Sequence, residues 1–239
     1  MRMILLAMMV PLAACSASAQ GSTDGAGSGG TSRTFAERDF TGVELHGSDD
    51  VDIKIASAFT IRAEGPAKVL DQLKIERVGD TLRIARKDDD NWSWGNSKSA
   101  RIYVTMPRIA KARVSGSGDM TIGRAEGASF AASTEGSGNI RIAALNAPSV
   151  DLSVAGSGDI EATGQADRLA INIAGSGEVQ ARGLKAKSAN VSIAGSGAAV
   201  AEVNGPANVS IMGSGDVDLG AGATCTTNKM GSGDVRCGK

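Results

Sequence analysis

From residue 111 to the C-terminus, short runs of alternating apolar and polar residues are broken at one recurring place by Gly-Ser-Gly. The triplet begins at Gly116, Gly136, Gly156, Gly175, Gly195, Gly213 and Gly231, at separations of 18–20 residues. Two residues before each first glycine stand Val114, Thr134, Val154, Ile173, Ile193, Ile211 and Lys229. Four residues after it stand Met120, Ile140, Ile160, Val179, Ala199, Val217 and Val235. Alternation with period two places one set of side chains on one face of a strand. The pattern therefore predicts strand, glycine corner, strand, repeated. A repeat this short cannot contain a helix pair or a propeller blade, which need about 33 and about 40 residues. It fits one coil of an all-β solenoid, in which coils stacked at roughly 4.8 Å share a continuous aliphatic core. A β-meander is the rival, but hairpin loops seldom recur at one position of every unit.

The residue three after each first glycine is Asp119, Asn139, Asp159, Glu178, Ala198, Asp216 or Asp234, a column of mostly acidic groups once the coils stack. A ladder of divalent cations is one reading. The other is that Asp and Asn bond their own turn backbone, and Ala198 together with the lack of a second acidic row favours it.

Ahead of the repeats, alternation predicts strands over 42–45, 51–55, 60–63, 73–77, 81–86 and 101–105, with a short helix from Pro66 to Gln72 covering an open end. His46-Gly47-Ser48-Asp49 reads as a degenerate corner. The polar stretch 88–99 holds Trp92 and Trp94, which either stack on a sugar or partner protein or fold back over the end of the barrel.

The first residues form an export signal. Arg2 is followed by a short apolar run and then Leu12-Ala13-Ala14-Cys15, which resembles a bacterial lipobox. Residues 1–14 are then a lipoprotein-type signal peptide, Cys15 the lipidated residue and membrane anchor, and 15–33 a flexible Gly/Ser linker, leaving 34–239 as the folded domain. Within it, 34–110 form irregular coils and 111–239 the regular repeats. Ordinary cleavage after Ala17-Ser18-Ala19 is the alternative. The localisation expected is an outer-membrane lipoprotein facing the periplasm or cell surface, or else a soluble exported protein.

Composition narrows the function. Aromatic residues make up only 3% and glycine numbers 32, so Val, Ile, Leu and Ala must build the core. A net charge of −1 offers no global field for nucleic acid. One histidine and scattered outward residues such as Asp151, Glu161, Asn172, Gln180 and Asn190 supply no acid–base pair, and no metal cluster, P-loop or nucleophile elbow is present. No catalytic residue, metal or cofactor is assigned. Cys225 and Cys237 stand six residues either side of Gly231, at inward positions of the last coil, and predict a disulfide contributing about 2–3 kcal/mol in the chain-entropy model.

The repeated (S/A)GSGD(I/V) register, the start Phe40-Thr41-Gly42-Val43-Glu44-Leu45 and the strand ending Met106-Pro107 before the first triplet carry a family resemblance. Over Phe35 to Lys239 the chain is similar to the putative auto-transporter adhesin head-GIN domain family of bacterial cell-envelope proteins. The resemblance implies a right-handed parallel β-helix and secretion, and brings no catalytic residues. Two functions remain. One is an envelope adhesin or binding module that offers its walls to a glycan or surface protein, with Trp92 and Trp94 as candidate ligand-binding residues. The other is a structural or stress-related envelope component without a ligand.

Overall fold

The computed structural model describes residues 31–87 and 98–238. The strands of the first part are β1 (Thr31–Phe35), β2 (Gly42–Gly47), β3 (Asp50–Ile55), β4 (Thr60–Gly65), β5 (Leu73–Val78), β6 (Thr81–Arg86) and β7 (Arg101–Met106), with helix α1 (Ala67–Gln72) between β4 and β5. The repeats follow as β8 (Lys111–Gly116), β9 (Met120–Ile122), β10 (Ala125–Glu126), β11 (Ser129–Gly136), β12 (Ile140–Gly156), β13 (Asp159–Gly175) and β14 (Glu178–Gly195). The last coils are β15 (Ala198–Val203), β16 (Gly205–Gly213), β17 (Asp216–Asp218), β18 (Ala223–Met230) and β19 (Val235–Arg236). Together they make a β-solenoid of about six turns with a nearly closed sheet.

Pairing from coil to coil is parallel and keeps the expected register. Gly116, Gly136, Gly156, Gly175, Gly195 and Gly213 stack directly on one another. The columns read from the sequence are the core: Val114, Val154, Ile173, Ile193 and Ile211 are each at most 2% exposed, as are Met120, Ile140, Ile160, Val179, Ala199 and Val217. A second bend interrupts the register after Ile142, Glu161 and Ala181, and starts a short third side whose Leu145, Ala147, Ala166, Leu184 and Ala186 complete the core.

The corner shows why it must be glycine twice. Each first-glycine carbonyl accepts the N–H of the serine in the next coil, as Ser157 donates to Gly136 at 2.8 Å and Ser176 to Gly156 at 2.9 Å. That backbone ladder draws the corners so close that a Cβ on Gly158 would lie 2.1 Å from the Gly138 carbonyl oxygen.

The degenerate corner at 46–49 is the first of this stack, with Gly47 in register with Gly116. Among the described residues no second corner lies against its other side, and the position of the second glycine holds a side chain, Asp49. The Asp49 carboxylate is 1% exposed and receives both arms of Arg86 (2.9 and 2.6 Å) and the Ala100 N–H (2.7 Å). That hydrogen bond raises the Arg86 guanidinium above its ordinary range, against the opposing effect of burial. Arg86 and Ala100 stand at the two ends of the segment that joins β6 to β7, and Asp49 ties them together.

The N-terminal end is a mixed cap rather than further parallel coils. β4 lies antiparallel between β1 and β7, and β5 runs antiparallel to β6. Helix α1 seals this end with Val69 and Leu70. β1 starts at Thr31, so folded chain begins before the expected end of the linker at residue 33. At the C-terminal end, Cys225 and Cys237 form a disulfide with a Cα–Cα distance of 6.0 Å. Lys229, in an inward column, turns its ammonium to the Gly233 carbonyl at 2.6 Å.

Candidate functional site

Strand alternation sends Tyr103 outward from β7 and Arg62 outward from β4, and antiparallel pairing sets the two side by side. The Arg62 guanidinium lies over the Tyr103 ring, 5.0 Å from its centroid, and also pairs with Glu64. These groups form part of the wall of an open groove of 850 Å³. Phe35 and Phe59 add half-buried aromatic surface, and Thr60 and Thr105 line it together with residues 36–39. Three of the seven aromatic residues of the chain thus meet in one place, in a protein whose core uses few. Asp39, on the groove rim, has φ 62, and among the described residues it is the one non-glycine residue in the left-handed region. Phe59 is steadied from below by Phe40, with ring centroids 4.9 Å apart.

Beyond Tyr103 the same wall continues as a second groove of 610 Å³, lined among others by Asp52, Arg101, Asp119, Arg141 and Glu161. Its two guanidiniums are both paired, and its carboxylates outnumber them. Arg141 meets Glu161 at 2.6 Å, and Arg101 reaches Asp50 and Asp52 at 3.5 and 3.6 Å.

The acidic column borders this groove, and its bonding differs from both sequence readings. Asp119, Asn139, Asp159 and Asp216 each accept the backbone N–H of the matching residue in the following coil, not of their own turn, whereas the Ala198 N–H bypasses Glu178 for the Gly177 carbonyl at 3.3 Å. Asn139 N–H donates to Asp119 Oδ1 at 3.1 Å, Asp159 N–H to Asn139 Oδ1 at 2.9 Å, and Glu178 N–H to Asp159 Oδ1 at 2.9 Å. The series resumes with Asp234 N–H on Asp216 Oδ1 at 2.8 Å. Where Ala198 has no acceptor, the Asp216 N–H turns to the Gly197 carbonyl at 3.1 Å. Stacking like charges is costly, and Glu178 shows it: burial, then the charge of Asp159, raises its carboxyl above the ordinary range. Among the described residues no group of three or more His, Cys, Asp or Glu side chains is placed to hold a metal ion.

Trp92 and Trp94 lie outside the described residues, as does Cys15. The Tyr103 groove was not singled out from sequence. The outward phase of Tyr103 was readable, but its meeting with Arg62 depends on the antiparallel insertion of β4.

Fold and surface define a capped β-solenoid with open, ligand-sized grooves on its outer walls. Among the described residues no helix is long and apolar enough to cross a membrane. The chain belongs to the family described as putative auto-transporter adhesin, head GIN domain, whose sequence model matches residues 39–223. It is similar in structure to a putative adhesin from Bacteroides fragilis, with a TM-score of 0.81 and 18% identity over 88% of this chain and 98% of that one. A putative lipid binding protein from Parabacteroides distasonis gives a TM-score of 0.68 and 23% identity over 89% and 98%. A putative adhesin from Parabacteroides merdae gives 0.68 and 17% over 88% and 96%. At these identities the likeness concerns the fold. None of the curated proteins matches the chain.

Proposed function

We propose that this protein is an exported, non-enzymatic binding module of the adhesin kind, held in the bacterial envelope through Cys15, that grips an envelope glycan in the Tyr103 groove. One observation carries the reading: the 850 Å³ groove gathers three of the scarce aromatic residues around a guanidinium and three threonines. Flat apolar rings with a few polar groups at their edges suit a sugar, which has a C–H face and a hydroxyl rim. The adhesin descriptions of the family and of structural relatives support the same class of activity. The leader, the Gly/Ser linker and the disulfide suit an exported chain on a tether.

A glycan array probed with wild-type protein and with Tyr103→Ala tests this. Loss of one stacking ring is expected to weaken the positive glycans about tenfold. Identical profiles for the two proteins would leave the groove without a role and favour a structural envelope component. A parallel double variant, Trp92→Ala with Trp94→Ala, asks whether that loop shares the ligand. Labelling with a fatty-acid analogue, lost in Cys15→Ala, tests the anchor.

A further inference from the structure

The wall before each corner changes character along the solenoid. On β2 and β8 it carries Glu44, His46, Lys111 and Arg113. From β13 through β14, β16 and β18 the outward columns that start at Ala170, Asn172 and Ala174 contain no charged residue, with Arg168 flanking them on β13, although 21% of the chain is charged. The other wall of the same coils carries Glu178, Asp216, Asp218, Asp234 and Arg236. Nothing in the fold requires the difference, since both walls are outward faces of parallel strands.

The charge-free strip is ordered. Beside the corner runs an apolar column, Ala155, Ala174, Ala194, Met212 and Met230, each in register with the next. Met212 and Met230 are 63% and 66% exposed, and with Val78 they are the exposed large hydrophobic residues of the described chain. The next column is Ser153, Asn172, Ser192, Ser210 and Asn228. The outer column holds Asn190 and Asn208, whose side chains hydrogen-bond at 3.0 Å. A shallow trough of 360 Å³ runs across the coils, lined by Asn172, Asn190, Ser192, Asn208, Ser210 and Asn228 among others.

Size decides what can occupy it. Three coil steps of about 4.8 Å by a width of about five residues give a strip on the order of 240 Å². A stable protein partner, or a second copy, needs about 800 Å² on each side. A slender polymer fits instead. Without charge on the strip, an ionic polymer would lose its hydration with no counter-charge in return. Pyranose units linked end to end advance by nearly one coil spacing per sugar. Their C–H faces match the Ala/Met column, and their hydroxyls match the Ser and Asn columns.

We propose that this strip is a second binding site, separate from the Tyr103 groove, for a neutral linear polysaccharide lying along the solenoid axis at one sugar per coil. The test is calorimetric titration of the full mature protein with neutral β-1,4- and α-1,4-linked glucose oligomers and β-1,4-linked mannose oligomers of increasing length. Affinity in at least one series rises with length and levels off at about four sugars, when the strip is spanned. Ser192→Arg, which places a long cation in the middle column, weakens that binding about tenfold or more. Gln180→Arg on the other wall and Tyr103→Ala leave it unchanged, and all three variants retain the wild-type melting temperature. Should Ser192→Arg itself melt early, Met212→Ala, an exposed truncation, serves in its place with a smaller loss. The proposal is overturned if no neutral series binds, if affinity is independent of length, or if uronate oligomers bind as tightly as neutral ones. None of these results bears on the groove, which Tyr103→Ala reports separately.

Discussion

Two single alanine substitutions separate the two demands that the corner places on glycine. Gly47 has φ +111 and, among the described residues, no atom within 4 Å of where its Cβ would be. Alanine there meets backbone strain alone, about 1–3 kcal/mol. Gly158 lies outside the positive-φ region, yet its Cβ would stand 2.1 Å from the Gly138 carbonyl oxygen. Relief requires the coils to part by about an ångström, against ordinary contact near 3.2 Å. Parting weakens the N–H donations of Ser157 and Gly158 to Gly136 and of Asp159 to Asn139. Three backbone donations at about 1 kcal/mol each, added to an overpacking cost of about 1–3 kcal/mol, bring Gly158→Ala to roughly 4–6 kcal/mol. Urea denaturation of both variants with the disulfide intact measures the difference, and amide exchange shows whether the loss is centred on coils 136–177. Equal costs for Gly47→Ala and Gly158→Ala would refute the argument, as would a Gly158→Ala variant within 1 kcal/mol of wild type.

Three further outcomes follow from the structure. Thr134 interrupts an inward valine column, 1% exposed and with no partner for its hydroxyl, so Thr134→Val should stabilise by about 1–2 kcal/mol in the same denaturation assay. Asp49→Ala removes the carboxylate that Arg86 and the Ala100 N–H share, and should cost about 3–5 kcal/mol, with Asp49→Asn in between. Glu178 has a folded-state pKa above its unfolded value, so its proton favours the folded state. Stability attached to that proton is complete below the unfolded value and is lost as pH rises through the raised one. Glu178→Gln should therefore raise the melting temperature at pH 7, by about 1 °C for a group only partly buried, and change nothing at about pH 3.

Much of the fold was legible because stacking repeats a local rule. The columns two before and four after each glycine, the short helix after Pro66, the Cys225–Cys237 pair and the strands of the first half all follow from period and phase. What was not legible depends on contacts between coils or on the absence of one. The Asp119-to-Glu178 column looked like a set of self-bonded turns, because no single coil reveals that the next one supplies the amide. Asp49 looked like a lapse from Gly-Ser-Gly, since only its place at the head of the stack explains why a side chain fits there. The groove needed β4 to insert antiparallel between β1 and β7, an order of strands that alternation does not encode. Tyr103 was visible as an outward aromatic residue, but its neighbour Arg62 was not.

The side-chain ladder has a direction. Asp119, Asn139, Asp159 and Asp216 each bond an amide that arrives one coil later in the chain, and the corner carbonyls do the same. A finished N-terminal stack therefore presents a template of unfilled acceptors, and each new coil fills one set while presenting the next. For a chain that crosses a membrane from its N-terminus, growth of the solenoid can keep pace with its arrival. Asp216 is the last acceptor of the column and the Asp234 N–H its last donor, and beside them the disulfide and the Lys229 ammonium on the Gly233 carbonyl tie down the final coil.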